Sequence, residues 1–537
     1  MNKYREQKEE NTEKDVGQHM QNTSRTARSV KNAQVAIIFY CVNLILQFFS
    51  RKIFLDYLGS EVLGLNTTAQ NLLGFLNLAE LGIGMAIAYC LYKPLFDDDR
   101  DTINGIVSVQ GWLYRRIAYV VIISAVVLMC FFPLIFNKAE VPLWYAYGSF
   151  SVLLFSSLLG YFVNYRQIVF SADQKEYKIT YTSQGVKVLK VIIQILAIRY
   201  LNHGYIWWMS LEAVFAIITS AVLDKAIKAE YPWLKPNIKE GEALKKKYPQ
   251  IITKTKQLFF HKIGSFVLSQ TSPIIIYAYT SLTLVAIYGN YMLIITGVTM
   301  LVNSLLNGIG AGVGNLVAEG EQKKIKNFYW ELTSLRLWMA SVICFGIYML
   351  GHPFIRLWVG TEYVMPDPAF IILTLITFVQ LTRTNDIFIS AYGLFQDIWA
   401  PVVEASLNLG LSILLGYFFG LTGILTGVLT SLLIIICCWK PYFLYSRGFK
   451  ENCAEYFIRH IKYIMILGSG FIGCRWLITK LIHLSLDSWG NWILGAVVML
   501  TIYGTVSLLS MWCLDKSARA FVKRLANIIG INLGKRI

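Results

Sequence analysis

The sequence predicts an all-α polytopic membrane protein with about fourteen transmembrane helices. Hydrophobic residues make up 55% of the 537 residues and charged residues only 15%. Apolar segments of about 20 residues, the length that crosses a hydrocarbon core of ~30 Å, recur between residues 33 and 514. The second half of these segments also repeats the first. Together these observations predict two six-helix lobes related by a parallel repeat, followed by two C-terminal helices.

The apolar and polar segments divide the chain into six parts. The first is a polar tail without the apolar segment of a signal peptide, which we expect to be largely disordered. The last is a basic tail able to form an amphipathic helix at the inner interface. The predicted parts are a cytoplasmic tail (1–32), an N-lobe of spans 1–6 (33–224), a cytoplasmic linker (225–256), a C-lobe of spans 7–12 (257–440), two extra spans (461–514) and a basic cytoplasmic tail (515–537).

The internal repeat has an offset of 219–224 residues. Ile168–Ala172 (IVFSA) matches Ile387–Ala391 (IFISA), and Asn66 matches Asn290. Because each half has six predicted spans, the two halves have the same orientation across the membrane. Repeats of this kind are typical of transporters, whose site lies between the halves.

The net charge of +17 is unevenly distributed along the chain. Lys and Arg concentrate in alternate connections between spans, which is the positive-inside pattern and predicts that both termini are cytoplasmic. This distribution leaves no separate basic patch, so we expect no nucleic-acid partner.

Several classes of chemistry have no signal in the sequence. The nine cysteines lie mostly in apolar segments and show neither metal-ligand spacing nor a disulfide framework. There is no G-x-x-x-x-G-K-[ST] phosphate loop, and no predicted outer loop is long enough for a catalytic domain. We therefore expect no metal, no cofactor and no enzymatic activity.

A polar ridge follows one side of span 2. On a helix with 100° per residue, five residues fall within one arc of about 80°: Asn66, Gln70, Asn77, Glu80 and Gly84. A carboxylate at mid-span costs about 2.5–3.5 kcal/mol, so Glu80 should face a bundle interior or a wet cavity. Either Glu80 carries a proton or pairs with a cation there, or it makes a structural hydrogen bond between helices.

Span 8 carries a second ridge in the same angular range, formed by Thr296, Asn303, Asn307, Gly310 and Gly314. Two ridges, one per half, would line one cavity. Amide side chains both donate and accept hydrogen bonds, which suits sugar hydroxyls.

Charged residues within the spans supply further candidates. Lys262, Arg116 and Arg336 lie toward inner ends of spans, as do Arg115, Lys187 and Lys190. These cations are either interfacial anchors or receivers of an anionic headgroup. The candidate coupling residues are Glu80, Asp386, Glu212 and Glu404. Asp386 can also simply neutralise Arg383, three residues earlier.

Several segments resemble bacterial polysaccharide-transporter proteins: Tyr57–Gly59, Leu63–Asn66, Leu78–Gly84, Leu91–Pro94 and Ile287–Tyr291. These proteins are flippases for lipid-linked oligosaccharides of the O-antigen type, within the multidrug, oligosaccharidyl-lipid and polysaccharide exporter superfamily. The resemblance covers residues 33–510.

The resemblance implies two lobes around a V-shaped cavity and alternating access driven by an ion gradient, in the bacterial cytoplasmic membrane. The implied cargo is an undecaprenyl-diphosphate-linked saccharide, moved outward for surface polysaccharide (O-antigen, lipopolysaccharide) biosynthesis, with glycan-assembly enzymes as further partners. The implied receivers of the diphosphate are Lys262, Arg116 and Arg336. Two alternatives to the flippase function remain. One is a cation-coupled multidrug or toxin exporter, and the other is a membrane scaffold for glycan enzymes.

Overall fold

The computed structural model is mainly helical in the part of the chain that it describes, with short 3-10 and π-helical segments and with turns between the helices. Backbone is described for residues 2–80, 82–306, 309–394, 396–397, 399–482 and 485–528. Side chains are described over the same ranges except at 2–30, 79, 257–258, 260–270, 304–306, 310–311, 481–482, 521 and 524–528. The chain divides into two compact units, residues 1–266 and 267–537.

The described residues of the first unit form ten α-helices, and the last of these continues into the second unit. They are α1 (Asn2–Leu76), α2 (Ile83–Phe96), α3 (Arg100–Cys130), α4 (Phe132–Ile135), α5 (Leu143–Phe162), α6 (Ile168–Ala172), α7 (Glu176–Tyr200), α8 (Gly204–Glu230), α9 (Gly241–Lys247) and α10 (Pro249–Tyr279). Gly59, with φ 84°, bends α1 and divides its apolar part into two spans.

The second unit contains the remaining helices. They are α11 (Leu282–Leu306), α12 (Ile309–Glu319), α13 (Gln322–Trp358), α14 (Asp367–Leu381), α15 (Thr384–Ala391), α16 (Trp399–Leu432), α17 (Lys440–Phe443), α18 (Ala454–Leu477), α19 (Trp489–Leu514) and α20 (Lys516–Ile528). The π-helical segments Leu433–Trp439 and Leu444–Phe449 flank α17.

Ten helices in the described part of the chain are long and apolar enough to cross a membrane. Two of them, Lys31–Leu76 and Trp399–Phe449, have 46 and 51 residues and are bent at Gly59 and Gly420, so each is long enough for two spans. Helix α2, with 14 residues, is a shorter apolar helix that follows the second part of α1. The predicted all-α membrane fold is confirmed, and its helices are consistent with about fourteen spans.

The connection after α8 packs against α3 in the first unit. The Asn104 side chain accepts a hydrogen bond from the Lys235 backbone N–H at 2.7 Å, and Ser108 Oγ accepts one from the Asn237 N–H at 2.9 Å. A Cβ at Gly241 would lie 2.7 Å from the Ser108 carbonyl oxygen, so this close approach requires glycine. The connection is therefore held on one end of α3.

Asp99 begins α3 at that same end. Its carboxylate accepts a hydrogen bond from the Thr102 N–H at 3.0 Å, and hydrogen bonds from Thr102 lower the pKa of Asp99. The acidic residues before α3 thus include a helix N-cap.

The core of the second unit surrounds α13. The C-terminal helices α18 and α19 both pack against it. The indole N–H of Trp338 donates to the Gly504 carbonyl at 3.2 Å, and that of Trp492 donates to the Leu350 carbonyl at 3.1 Å. The two additional helices are therefore an integral part of this unit.

Candidate functional site

The polar ridge of span 2 is divided by a break in the helix. Helix α1 ends at Leu76, a 3-10 turn covers Asn77–Glu80, and α2 begins at Ile83 after Gly82 in the left-handed region (φ 89°). The ridge predicted for a continuous helix is therefore two separate pieces. Asn66 and Gln70 lie on α1, and Asn77 and Glu80 lie at the break.

Asn66 joins three helices. Its side chain is buried, and its Oδ1 accepts hydrogen bonds from Ser149 Oγ on α5 and from Tyr205 OH on α8, both at 2.7 Å. Its amide nitrogen has no hydrogen-bond partner within the described part of the structure. Gln70, one turn farther along α1, is exposed. The two amides thus have different environments.

At the break, the polar side chains bind tyrosines and a serine. Asn77 Oδ1 accepts from Tyr161 OH at 3.0 Å and from Ser157 Oγ at 3.3 Å, and Glu80 Oε1 accepts from Tyr114 OH at 2.9 Å. The rings of Tyr114 and Tyr161 pack edge to face at 5.5 Å. The eight residues that make these two sets of hydrogen bonds form the amide–tyrosine network: Asn66, Asn77, Glu80, Tyr114, Ser149, Ser157, Tyr161 and Tyr205.

A charged group lies on the neighbouring helices α7 and α8. Lys190 Nζ lies 2.6 Å from Glu212 Oε1, and Gln194 Nε2 donates to Glu212 Oε2 at 3.0 Å. The side chains of Lys190 and Glu212 are only 18% and 14% exposed. Lys187 is half-buried one turn before Lys190 and has no ion pair within the described residues. We call Lys187, Lys190 and Glu212 the lysine–glutamate cluster.

In the second unit, Asp386 lies in the first turn of α15 between two cations. Its carboxylate is 2.8 Å from Arg383 Nε and 2.5 Å from Lys440 Nζ. The i, i+3 pairing with Arg383 predicted from the sequence is thus present, and Lys440 adds a partner 54 residues away. Arg336, on α13, is buried, and its Nε makes no hydrogen bond to the described part of the chain.

Glu404 and Asn408 lie one turn apart on α16 and are 4% and 1% exposed. Glu404 Oε1 and Asn408 Oδ1 have no hydrogen-bond donor among the described residues, although Asn408 Nδ2 donates to Ser431 Oγ at 3.4 Å. Two buried acceptor oxygens without donors are costly unless a proton or cation satisfies them.

The remaining candidates have separate locations. Arg116 is exposed. Its guanidinium carbon lies 4.2 Å from the centre of the Trp112 ring, and its Nη2 lies 3.5 Å from Glu242 Oε2 on α9. Asn303 is exposed on α11. The side chain of Lys262 and the residue Asn307 lie outside the described residues.

The partners of these residues have no clear signal in the sequence. The tyrosines appeared only as part of apolar segments, and Glu212 had no evident partner. Helix geometry contains one usable signal, since Lys190 lies ten residues before the end of α7 and Glu212 eight residues after the start of α8. In a tight helical hairpin these positions have similar depth.

No protein-family model matches this sequence, and no curated protein matches it. Among solved structures, the lipid II flippase MurJ in an inward closed conformation matches with a TM-score of 0.59 and 15% identity, over 92% of this chain and 99% of that chain. An inward-facing multidrug resistance transporter of the MATE family, in the MOP superfamily, matches with a TM-score of 0.56 and 12% identity, over 78% and 99%. The chain therefore has the helical membrane fold of these transporters and flippases.

Proposed function

We propose that this protein is a flippase that moves an undecaprenyl-diphosphate-linked saccharide from the inner to the outer leaflet of the bacterial cytoplasmic membrane. The lobes would alternate in access, with both termini in the cytoplasm. The observation that carries this proposal is the lysine–glutamate cluster, which has two cations and one carboxylate on the apolar helices α7 and α8.

Lys187 lies near the inner end of the apolar part of α7. The helix begins at Glu176, but its apolar part begins at about residue 183, so Lys187 lies about one turn inside this part. An anionic headgroup that enters from the inner leaflet would reach this position first. Ionisable side chains within membrane spans are often part of substrate or ion pathways. Glu212 already pairs with Lys190, so Lys187 is the cation best suited to an incoming anion such as a diphosphate.

The structural likeness is compatible with this proposal. The MurJ match covers 92% of this chain, and MurJ is a lipid II flippase. At 15% identity this likeness supports the fold, and the choice of a lipid-linked cargo depends on the basic residues described above.

The exposed amides Gln70 and Asn303 are the best candidates for contact with saccharide hydroxyls. Asn66, Asn77 and Glu80 would act indirectly, because their oxygens already accept hydrogen bonds from neighbouring helices. Arg336, Lys262, Asn307 and Arg116 remain proposed contributors to the substrate path.

Glu404 is the coupling residue that we favour among Glu80, Asp386, Glu212 and Glu404. The other three each accept a hydrogen bond or an ion pair from a neighbouring side chain. Glu404 is buried with one oxygen lacking a donor, so uptake and release of a coupling ion at this carboxylate would have a large energetic effect.

The test is translocation of a fluorescent undecaprenyl-diphosphate saccharide in proteoliposomes. Lys187→Gln should slow translocation at least about tenfold, the loss expected when a charge-assisted hydrogen bond is removed. Lys225→Gln, a change of the same chemistry at an exposed position of α8, is the matched control. Wild-type rates in Lys187→Gln, or no translocation by the wild-type protein, would overturn the proposal.

A cation-coupled drug or toxin exporter is the second candidate, favoured by the MATE likeness. It predicts that cells gain drug resistance, that Glu80→Gln abolishes this resistance and that Lys187→Gln leaves it unchanged. Such a result together with unaltered surface glycan in cells lacking the protein would select the exporter.

A further inference from the structure

A groove of about 380 Å³ lies on the second unit between α14 and α18, with α13 as its floor. Ile371 and Leu375 on α14 face Ile464 and Ile472 on α18, and all four side chains are exposed. The groove is therefore lined mainly by apolar side chains, several of which are exposed.

The polar side chains on the floor of the groove have hydrogen-bond partners within the protein. Ser341 is hydrogen-bonded to Tyr503 OH, and Cys344 Sγ donates to the Thr374 carbonyl at 3.5 Å. A ligand in the groove therefore meets no unsatisfied polar group from these residues, and only apolar contact is available along the floor.

One end of the groove carries a cation. Arg475 is exposed near the end of α18, with its guanidinium 5.0 Å from the centre of the Tyr348 ring. It has no acidic partner within the described residues. The opposite end, at Ile464, lies eleven residues away, a distance of about 16 Å along the helix.

We propose that this groove binds one anionic phospholipid, with an acyl chain between α14 and α18 and the phosphate on Arg475. The length of the groove is about half of a ~30 Å hydrocarbon core, which matches an acyl chain of a single leaflet. The predicted topology puts Arg475 in the outer leaflet. An eleven-unit isoprenoid chain is far longer than this groove, so the observations favour a phospholipid over the tail of the flipped substrate.

The middle of the groove has space for the chain. A Cβ added at Gly468, which lines the groove, would meet no atom within 4 Å. A larger residue at this position would therefore extend from an unobstructed Cβ into the channel. Gly473 on the same helix has equally open space and does not line the groove, which makes it a matched control position.

The test uses the purified full-length protein and native mass spectrometry, with phosphatidylglycerol or phosphatidylcholine of equal chain length as the probe. We expect the wild type to retain one phosphatidylglycerol preferentially. Arg475→Gln should reduce that preference about fivefold, the effect of one cation at a membrane surface. Lys480→Gln, at an exposed position farther along the chain, should leave it unchanged.

Gly468→Leu should lower retention of both lipids, and Gly473→Leu should not. Equal retention in Gly468→Leu and the wild type, or equal binding of the two lipids by the wild type, would overturn the proposal. Displacement of phosphatidylglycerol by an undecaprenyl-diphosphate saccharide would also overturn it and assign the groove to the substrate. Translocation is measured separately, so loss of lipid retention with intact flipping leaves the proposed function unaffected.

Discussion

The amide–tyrosine network and the lysine–glutamate cluster both bring polar side chains to membrane depth in the first unit, but they satisfy them differently. In the network, neutral hydroxyls donate to Asn66, Asn77 and Glu80. In the cluster, a carboxylate is shared between a lysine and an amide while a second lysine has no acidic partner of its own within the described residues.

This difference indicates that the network contributes to stability and the cluster to transport. Each hydroxyl in the network donates a hydrogen bond to a residue of another helical segment, which suits a role in holding α1, α3, α5 and α8 together. The cluster retains an uncompensated cation, which suits an anionic ligand. Polar residues in the apolar segments thus have at least two roles in this protein. Those bound by hydroxyl groups stabilise helix packing, and those in a charged cluster are suited to binding a ligand.

The largest expected effect comes from Glu212→Ala, which removes the acidic partner of Lys190. Breaking a buried ion pair from one side typically costs about 3–5 kcal/mol, because a charge remains buried without compensation. We expect a lower apparent melting temperature in detergent micelles and a smaller monodisperse fraction after purification.

The double variant Lys190→Met, Glu212→Leu is the control for this prediction. Replacement of both charges by apolar side chains of similar size is often close to neutral for stability. Because Lys187 remains, the double variant should also translocate the lipid-linked saccharide. A stable double variant without translocation would transfer the proposed role from Lys187 to the pair.

The sequence predicted the helical membrane fold because apolar length alone determines which segments can cross a bilayer. It did not predict the break at Asn77–Glu80, where Gly82 adopts a left-handed conformation, since periodicity contains no signal for such a turn. The partners of Asn66 are 83 and 139 residues away and depend on how helices pack. Candidate residues could therefore be named in advance, but their hydrogen bonds could not.

An intermediate effect is expected for Asn66→Leu. This change leaves the hydroxyls of Ser149 and Tyr205 without their acceptor in a buried site, which costs about 1–3 kcal/mol for an unsatisfied polar group. The apparent melting temperature in detergent should fall, by less than in Glu212→Ala. The combination of Asn66→Leu with Ser149→Ala and Tyr205→Phe should recover part of the loss, and no change in the single variant would show that the network does not stabilise the unit.

The smallest effect on stability is expected for Gln70→Leu, one turn from Asn66 on the same helix. Gln70 is exposed, so its replacement should change the free energy of unfolding by no more than about 0.5 kcal/mol. If its amide binds saccharide hydroxyls, the same variant should slow translocation by a few fold, since one neutral hydrogen bond contributes about 0.5–1.5 kcal/mol. The melting temperature and the translocation rate, measured on one preparation, would then change independently. If the melting temperature and the translocation rate both fall, Gln70 supports the fold in the same way as Asn66. In that case Gln70 belongs with the amide–tyrosine network and not with the substrate path.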